Sequence, residues 1–91
     1  MATAVRNNTA QNRYELDIDG ATAFTEYTLG PGMITLRHTE VPKGQAGRGV
    51  GSALARGVLQ AVRAQGLKVI PRCPFIAGYI RKHREFQDLL A

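Results

Sequence analysis

Residues 44–52 read Gly44-Gln45-Ala46-Gly47-Arg48-Gly49-Val50-Gly51-Ser52, a run with four glycines that leads directly into a helical pattern. Glycine has no side chain to block a ligand and adopts positive φ readily, so successive backbone N–H groups can point into one concavity. The helix that follows adds its unpaired first-turn N–H groups and the positive end of its dipole. The run therefore predicts a binding site for a phosphate or a pyrophosphate.

Two common nucleotide motifs do not fit this run. A P-loop requires Lys-Ser or Lys-Thr directly after its last glycine, where this chain has Val50 and Gly51. A dinucleotide fingerprint requires an acidic residue about 20 residues further on, where Val69 and Ile70 lie instead. The glycines therefore indicate a different phosphate-bearing ligand.

The composition is that of one small globular domain. The 91 residues carry a net charge of +5, and 44% are hydrophobic and 21% charged, which excludes a disordered chain. No apolar run reaches the roughly 18–20 residues of a membrane span, and residues 1–12 lack the apolar core of a signal peptide. A single cysteine suits a reducing, cytoplasmic setting, and with two histidines it offers too few ligands for a zinc site. The positive charge favours a polyanionic partner, either nucleic acid or a ligand with several phosphates.

Apolar and polar residues alternate before the glycine run, and this alternation predicts three strands. The predicted strands are Arg13–Ile18, Ala21–Leu29 and Met33–Val41. Asp19-Gly20 and Gly30-Pro31-Gly32 supply the turns between them. Residues 1–12 are polar and are expected to form a flexible segment, with residues 13–91 forming a single domain.

After the glycines the apolar residues change to a helical period. Val50, Leu54, Val58 and Val62 recur every four residues, and Gly66 is placed to end this helix. Leu67–Cys73 predicts a buried strand, and Pro74 suits the first turn of a second helix, Phe75–His83. The fold class is α+β with the order β-β-β-α-β-α: an antiparallel three-strand meander, a right-handed β-α-β crossover and a C-terminal helix.

These residues resemble the GNAT superfamily of acetyl-CoA-dependent N-acetyltransferases, in particular its short single-domain branch. The superfamily's acyl-CoA loop, Arg/Gln-x-x-Gly-x-Gly/Ala, aligns with Gly49 and Gly51, and Ala46 stands where Arg or Gln is expected. Three further motifs follow the same order: His38-Thr39-Glu40-Val41-Pro42, Pro71-x-Cys73-Pro74-Phe75, and Tyr79 followed by His83. The resemblance covers residues 13–90, and it implies a GNAT-like fold in which two parallel strands separate around acyl-CoA.

The resemblance implies acetyl-CoA, or CoA, as the cofactor. Backbone N–H groups of the glycine run would hold its pyrophosphate, and the strand around residues 39–41 would pair with its pantetheine arm. The expected cofactor-binding residues are Thr39, Glu40, Val41, Gly47, Arg48, Gly49, Val50, Gly51 and Ser52. A solvated loop arginine is an equally good interpretation of Arg48.

Three residues are candidates for the chemistry. Cys73 ends the second separating strand beside a helix N-terminus, where a thiolate is stabilised and an acyl group could be carried. His38, which the alternation puts on one face with Ile34 and Leu36, would accept a proton from an amine or from Cys73, with Glu40 as an alternative base. Tyr79 would protonate the departing CoA thiolate, as a tyrosine does in larger members. A purely structural role stays open for each, as a buried cysteine, a half-buried histidine and a packed tyrosine.

The implied function is transfer of an acyl group to an amine that attacks the thioester directly or through Cys73. The alternative is a CoA-binding module without turnover that acts as a sensor or interaction domain. The expected partners are a CoA thioester and an exposed amine of a protein or peptide, because so short a domain has little material for a closed pocket. Neither a membrane nor a metal is expected, and nucleic acid is disfavoured because aromatic and basic residues do not interleave. A monomer or a weak homodimer is expected.

Overall fold

The computed structural model describes residues 5–18, 20–45 and 49–91. Within these residues the strands are β1 (Arg6–Asn8), β2 (Arg13–Ile18), β3 (Ala21–Gly30), β4 (Met33–Glu40) and β5 (Lys68–Pro71). The α-helices are α1 (Val50–Ala64) and α2 (Pro74–Lys82), and 3-10 helices cover Lys43–Gln45 and Arg84–Leu89. The strands form one sheet in chain order, antiparallel from β1 to β4 and parallel between β4 and β5. The α+β fold and the β-α-β crossover predicted from the sequence are confirmed.

Helix α1 ends where the sequence predicts, and backbone hydrogen bonds explain the position. Gly66 has a φ of 72°, a left-handed conformation that glycine adopts without steric strain. The N–H of Gly66 donates to the carbonyl of Arg63, and the N–H of Leu67 donates to the carbonyl of Val62. These two bonds form a Schellman motif, which satisfies the last carbonyls of the helix and turns the chain into β5.

The core lies between one face of the sheet and the two helices. The sheet contributes buried residues at alternating positions: Tyr14, Leu16, Ala23, Tyr27, Ile34, Leu36 and Val69. The helices cover them with Leu54, Val58, Leu59, Val62, Ile76 and Ile80, each at most 1% exposed. No helix in the described part of the chain is both long enough and apolar enough to cross a membrane.

Strand β1 lies inside the segment that was predicted to be flexible, where the sequence predicted no strand. Arg6 pairs with Glu15 across the β1–β2 register, and its guanidinium forms ion pairs with the carboxylates of Glu15 and Asp17. β1 has no apolar alternation, so its pairing depends on polar contacts with β2 that the local sequence does not reveal.

Glu15 is a buried carboxylate on the sheet face opposite the core, and it is 2% exposed. Arg13 and Asn8 donate hydrogen bonds to its carboxylate, and Arg6 adds a second positive charge. The hydrogen bond from Arg13 is the largest cause that holds the pKa of Glu15 below its ordinary value, although burial opposes it. The arginines thus compensate a charge that would otherwise be costly to bury.

Candidate functional site

The glycine run enters α1 through a left-handed residue. Gly49 is the N-cap with a φ of 78°, and no side chain in the described part of the protein forms a capping hydrogen bond at this end of the helix. The N–H of Ala53 donates the first helical hydrogen bond to the carbonyl of Gly49, at 3.0 Å. The N–H groups of residues 50–52 precede that bond and lie at the positive end of the helix dipole, so this end of α1 suits an anion.

At Gly51 the constraint is the space around the residue and not its φ angle. A β-carbon at this position would lie 2.8 Å from Cζ of Phe75, closer than real contacts allow. The Phe75 ring therefore lies directly against the first turn of α1, and it is 43% exposed. Among the glycines of the run, Gly49 is explained by backbone conformation and Gly51 by this close approach.

A cavity of about 300 Å³ opens between the first turn of α1 and one face of α2. It is lined by Ser52, Pro74, Phe75, Gly78, Tyr79, Lys82 and His83. The α2 members recur at intervals of three and four residues, which places them on one face of the helix. The cavity thus combines apolar and aromatic walls, a lysine and the uncapped helix end, a lining that suits an organic anion.

Tyr79 is fixed in the wall of this cavity by His83. The two rings stack with centroids 3.8 Å apart and 13° between their planes. Nδ1 of His83 lies 2.8 Å from the carbonyl oxygen of Tyr79, and since a carbonyl only accepts, Nδ1 is the donor. Tyr79 is 8% exposed, so its ring is packed and also forms part of the cavity wall, and both interpretations of this residue stay open.

The parallel strands β4 and β5 separate next to Cys73. Their pairing ends at Leu36 and Pro71, and the last bond between the two chain segments runs from the N–H of Cys73 to the carbonyl of Leu36, at 2.9 Å. The thiol of Cys73 is buried and lies 3.3 Å from Oγ1 of Thr39, which follows Leu36 in β4 beyond the point where β4 and β5 stop pairing. Thr39, which was predicted to contact the cofactor, is therefore the β4 residue that meets Cys73 at the strand separation.

His38 lies on the opposite face of the sheet, so its predicted place beside Ile34 and Leu36 is wrong. Glu26 pairs with His38 and Tyr27 pairs with Leu36, which leaves Arg37 as an extra residue in β4. This β-bulge reverses the alternation, and His38 is mostly exposed with Nε2 3.3 Å from the Glu40 carboxylate. The structure does not bring His38 and Cys73 together.

The remaining predicted residues have mixed positions. Glu40 is exposed on the same face as His38, Val41 is half-buried, and Val50 is buried at the start of α1. Gly47 and Arg48 lie outside the described residues. Phe75 and Lys82 line the cavity without having been predicted as site residues, although their helical spacing from Tyr79 could have indicated them.

A helix N-terminus beside a cavity, next to two parallel strands that separate, is an arrangement that suits an anionic group near the strand opening. The sequence model described as GCN5-related N-acetyl-transferase matches residues 13–89, and the chain therefore belongs to this family. Acyl transfer is the chemistry of the family, and its members generally use acetyl-CoA.

Known proteins from animals and bacteria resemble the chain. Protein NATD1 of Gallus gallus and protein NATD1 of Homo sapiens are each 35% identical to it over 65 residues, or 71% of the chain. The matched region spans 58% and 57% of these two relatives, so the chain corresponds to little more than half of their length. The solution NMR structure of a Staphylococcus aureus protein assigned as a GCN5-like N-acetyltransferase superposes with a TM-score of 0.74. It shares 26% identity, over 99% of this chain and 89% of its own.

Proposed function

We propose that the chain binds acetyl-CoA, or CoA, in the cavity between α1 and α2 and transfers the acyl group to an amine. The observation that carries the proposal is the position of this cavity. It lies against the uncapped N-terminus of α1, and its far wall is a helix whose first residue follows Cys73 at the strand separation. A ligand with a phosphate end and a reactive thioester end matches these two features.

The described residues fit the charge of such a ligand. The N–H groups of residues 50–52 and the ammonium of Lys82 would hold phosphate oxygens, with the hydroxyl of Ser52 beside them. Gly47 and Arg48 are proposed to extend this contact, and residues 39–41 to pair with the pantetheine arm. Bound acetyl-CoA would supply an activated acyl group as a thioester.

The chemistry is proposed for the two residues that lie at the cavity and at the strand separation. Cys73 accepts the acyl group and passes it to the amine, and Tyr79 donates the proton that the departing CoA sulfur takes up. His38 has no part in this scheme, because it lies on the other face of the sheet. The acceptor is proposed to be an exposed protein or peptide amine.

The first experiment is an NMR titration of labelled protein with acetyl-CoA, CoA and a control nucleotide. Shifts at residues 49–52 and at Lys82 are expected with both CoA ligands. Absence of shifts at millimolar acetyl-CoA would overturn the proposal. Binding followed by no release of free CoA in the presence of a lysine-rich peptide would indicate the alternative, a CoA-binding module without turnover.

A pair of matched variants tests the cavity as the phosphate site. Lys82 lines this cavity, whereas Arg81 lines a separate apolar groove on the other side of α2. Lys82→Gln should weaken acetyl-CoA binding about three- to tenfold at low salt, the worth of one charge-assisted contact at an accessible site. Arg81→Gln removes the same charge from the neighbouring position and should leave the Kd within about twofold, since long-range effects are screened. Equal losses in the two variants would place the phosphates elsewhere.

A further inference from the structure

Two threonine hydroxyls connect the Cys73 thiol to the interior of the sheet. Oγ1 of Thr39 lies 3.3 Å from Sγ of Cys73 and 3.0 Å from Oγ1 of Thr25. Thr25 is 0% exposed, and among the described residues its hydroxyl bonds only with Thr39. The three side chains therefore form one short chain of hydrogen bonds that ends inside the protein.

The direction of these hydrogen bonds can reverse, because either threonine can donate to the other. In one direction the thiol donates to Thr39 and Thr39 donates to Thr25, which leaves the Thr25 proton without a side-chain acceptor. In the other direction Thr25 donates to Thr39, and Thr39 donates to the sulfur. Since a buried donor without an acceptor is costly, the second direction is favoured once the sulfur has lost its proton and can accept strongly.

We propose that Thr39 is a positioning residue for Cys73 and that Thr25 sets the direction in which Thr39 donates. This inference rests on the proposed function, since it assigns a task to Thr39 in the transfer of the acyl group through Cys73. The side chain of Thr39 orients the sulfur and holds it when it is negatively charged. No other described side chain forms a hydrogen bond with the sulfur.

The transfer balances without a further reactant. The Cys73 sulfur forms a bond to the acyl carbon while the bond from that carbon to the CoA sulfur breaks. The CoA sulfur takes the phenol proton of Tyr79, and the proton released by the Cys73 thiol restores the phenol of Tyr79. Free CoA and acyl-Cys73 therefore result. The amine then forms the amide bond, the bond from the acyl carbon to Sγ breaks, and the proton lost by the amine returns to Cys73.

Two substitutions at Thr39 separate the hydroxyl from the shape of the side chain. Thr39→Val keeps the shape and removes the hydroxyl, and Thr39→Ser keeps the hydroxyl. Intact-protein mass spectrometry follows the rate at which acetyl-CoA adds one acetyl group, with Cys73→Ala as the control for the modified residue. Thr39→Val should slow this step about tenfold, the effect of one ordinary hydrogen bond. Calorimetry should give a Kd within about twofold, because residues 39–41 are proposed to pair with the pantetheine arm through their main chain, which this substitution keeps. Thr39→Ser should restore the rate to within about threefold.

The same variants are tested without CoA, by the rate at which iodoacetamide alkylates Cys73. Thr39→Val should slow alkylation and Thr39→Ser should not. If the unmodified protein does not bind acetyl-CoA, the proposed function fails while this comparison still decides the role of Thr39. Equal rates in Thr39→Val and the unmodified protein, or an equal loss in Thr39→Ser, would overturn the inference. If Thr39→Val does not fold, the double variant Thr25→Val, Thr39→Val replaces it. Removing both hydroxyls leaves no buried hydroxyl without a hydrogen-bond partner.

Discussion

The contact between Gly51 and Phe75 leads to a prediction about the Gly51→Ala substitution. The change in its free energy of unfolding depends on whether the aromatic ring of Phe75 is present. Gly51→Ala places a methyl group 2.8 Å from Cζ of Phe75, so the ring must retreat by several tenths of an ångström. The backbone of Gly51 accepts alanine, because its φ is outside the left-handed region that strains other residues. The substitution therefore sets a gain in helix propensity against the displacement of one side chain.

Both effects have known sizes, and they nearly cancel. Alanine stabilises a helix by about 0.5–1 kcal/mol relative to glycine. Turning an aromatic side chain about 30° away from its rotamer costs about 0.5–1.5 kcal/mol. Since the Phe75 ring is 43% exposed, it has room to move. The free energy of unfolding of Gly51→Ala should therefore stay within about 1 kcal/mol of the unmodified protein.

Replacing the aromatic ring of Phe75 should make the gain in helix propensity from Gly51→Ala measurable. In a Phe75→Leu background the atoms that would contact the new methyl group are absent, so Gly51→Ala should stabilise by about 0.5–1 kcal/mol. Gly78→Ala is the matched control, because Gly78 is also helical, has no atom within 4 Å of its added β-carbon and should show the propensity gain alone. Urea unfolding followed by circular dichroism measures all four variants. An identical effect of Gly51→Ala in both backgrounds would refute the steric argument.

Two further predictions concern the face of the sheet opposite the core. His38→Ala should change stability by less than about 0.5 kcal/mol and acyl transfer by less than about twofold, because the side chain is exposed on the face of the sheet opposite the core. A tenfold loss of acyl transfer would contradict this prediction and indicate that His38 takes part in the reaction. Glu15→Gln should destabilise at neutral pH, and the difference from the unmodified protein should shrink as the pH falls below about 4.5. The reason is that the pKa of Glu15 is lower in the folded protein than in the unfolded chain, so its ionised carboxylate stabilises the fold at pH values above the unfolded-state pKa. This stabilisation is lost as the pH falls through the folded-state pKa and the carboxyl is protonated. Urea unfolding from about pH 3 to pH 7 measures this, and a constant difference would contradict it.

Most of the fold could be predicted because it depends on local pattern. Strand alternation and glycine turns place β2, β3 and β4, and the four-residue period with Gly66 places α1 to within one residue of its observed end. The missed elements depend on contacts distant in sequence. β1 is held by ion pairs to β2, and the 3-10 helix Arg84–Leu89 is held by burial of Phe86 and Leu89 in the core.

The candidate site was predicted in part for the same reason. Cys73 before Pro74 is a local signal for a strand end beside a helix, and the structure places it there. The position of His38 depends on the register between two strands, which no local pattern contains. An unbroken alternation would have continued the inward positions of Ile34 and Leu36 to residue 38, which is the position predicted from the sequence.

The bulge at Arg37 thus decides which side chain meets Cys73. Without the extra residue, His38 would point toward the helices and Thr39 toward the opposite face, because one residue of shift reverses every side chain that follows. With it, the thiol faces a small hydroxyl that pairs with Thr25, and the charged residues of β4 lie outside the core. Arg37 is exposed and makes no described side-chain contact with the site, so its insertion in the backbone and not its guanidinium determines this arrangement. A search of the sequence for chemically reactive side chains therefore does not find residues such as Arg37, which shape a site through strand register.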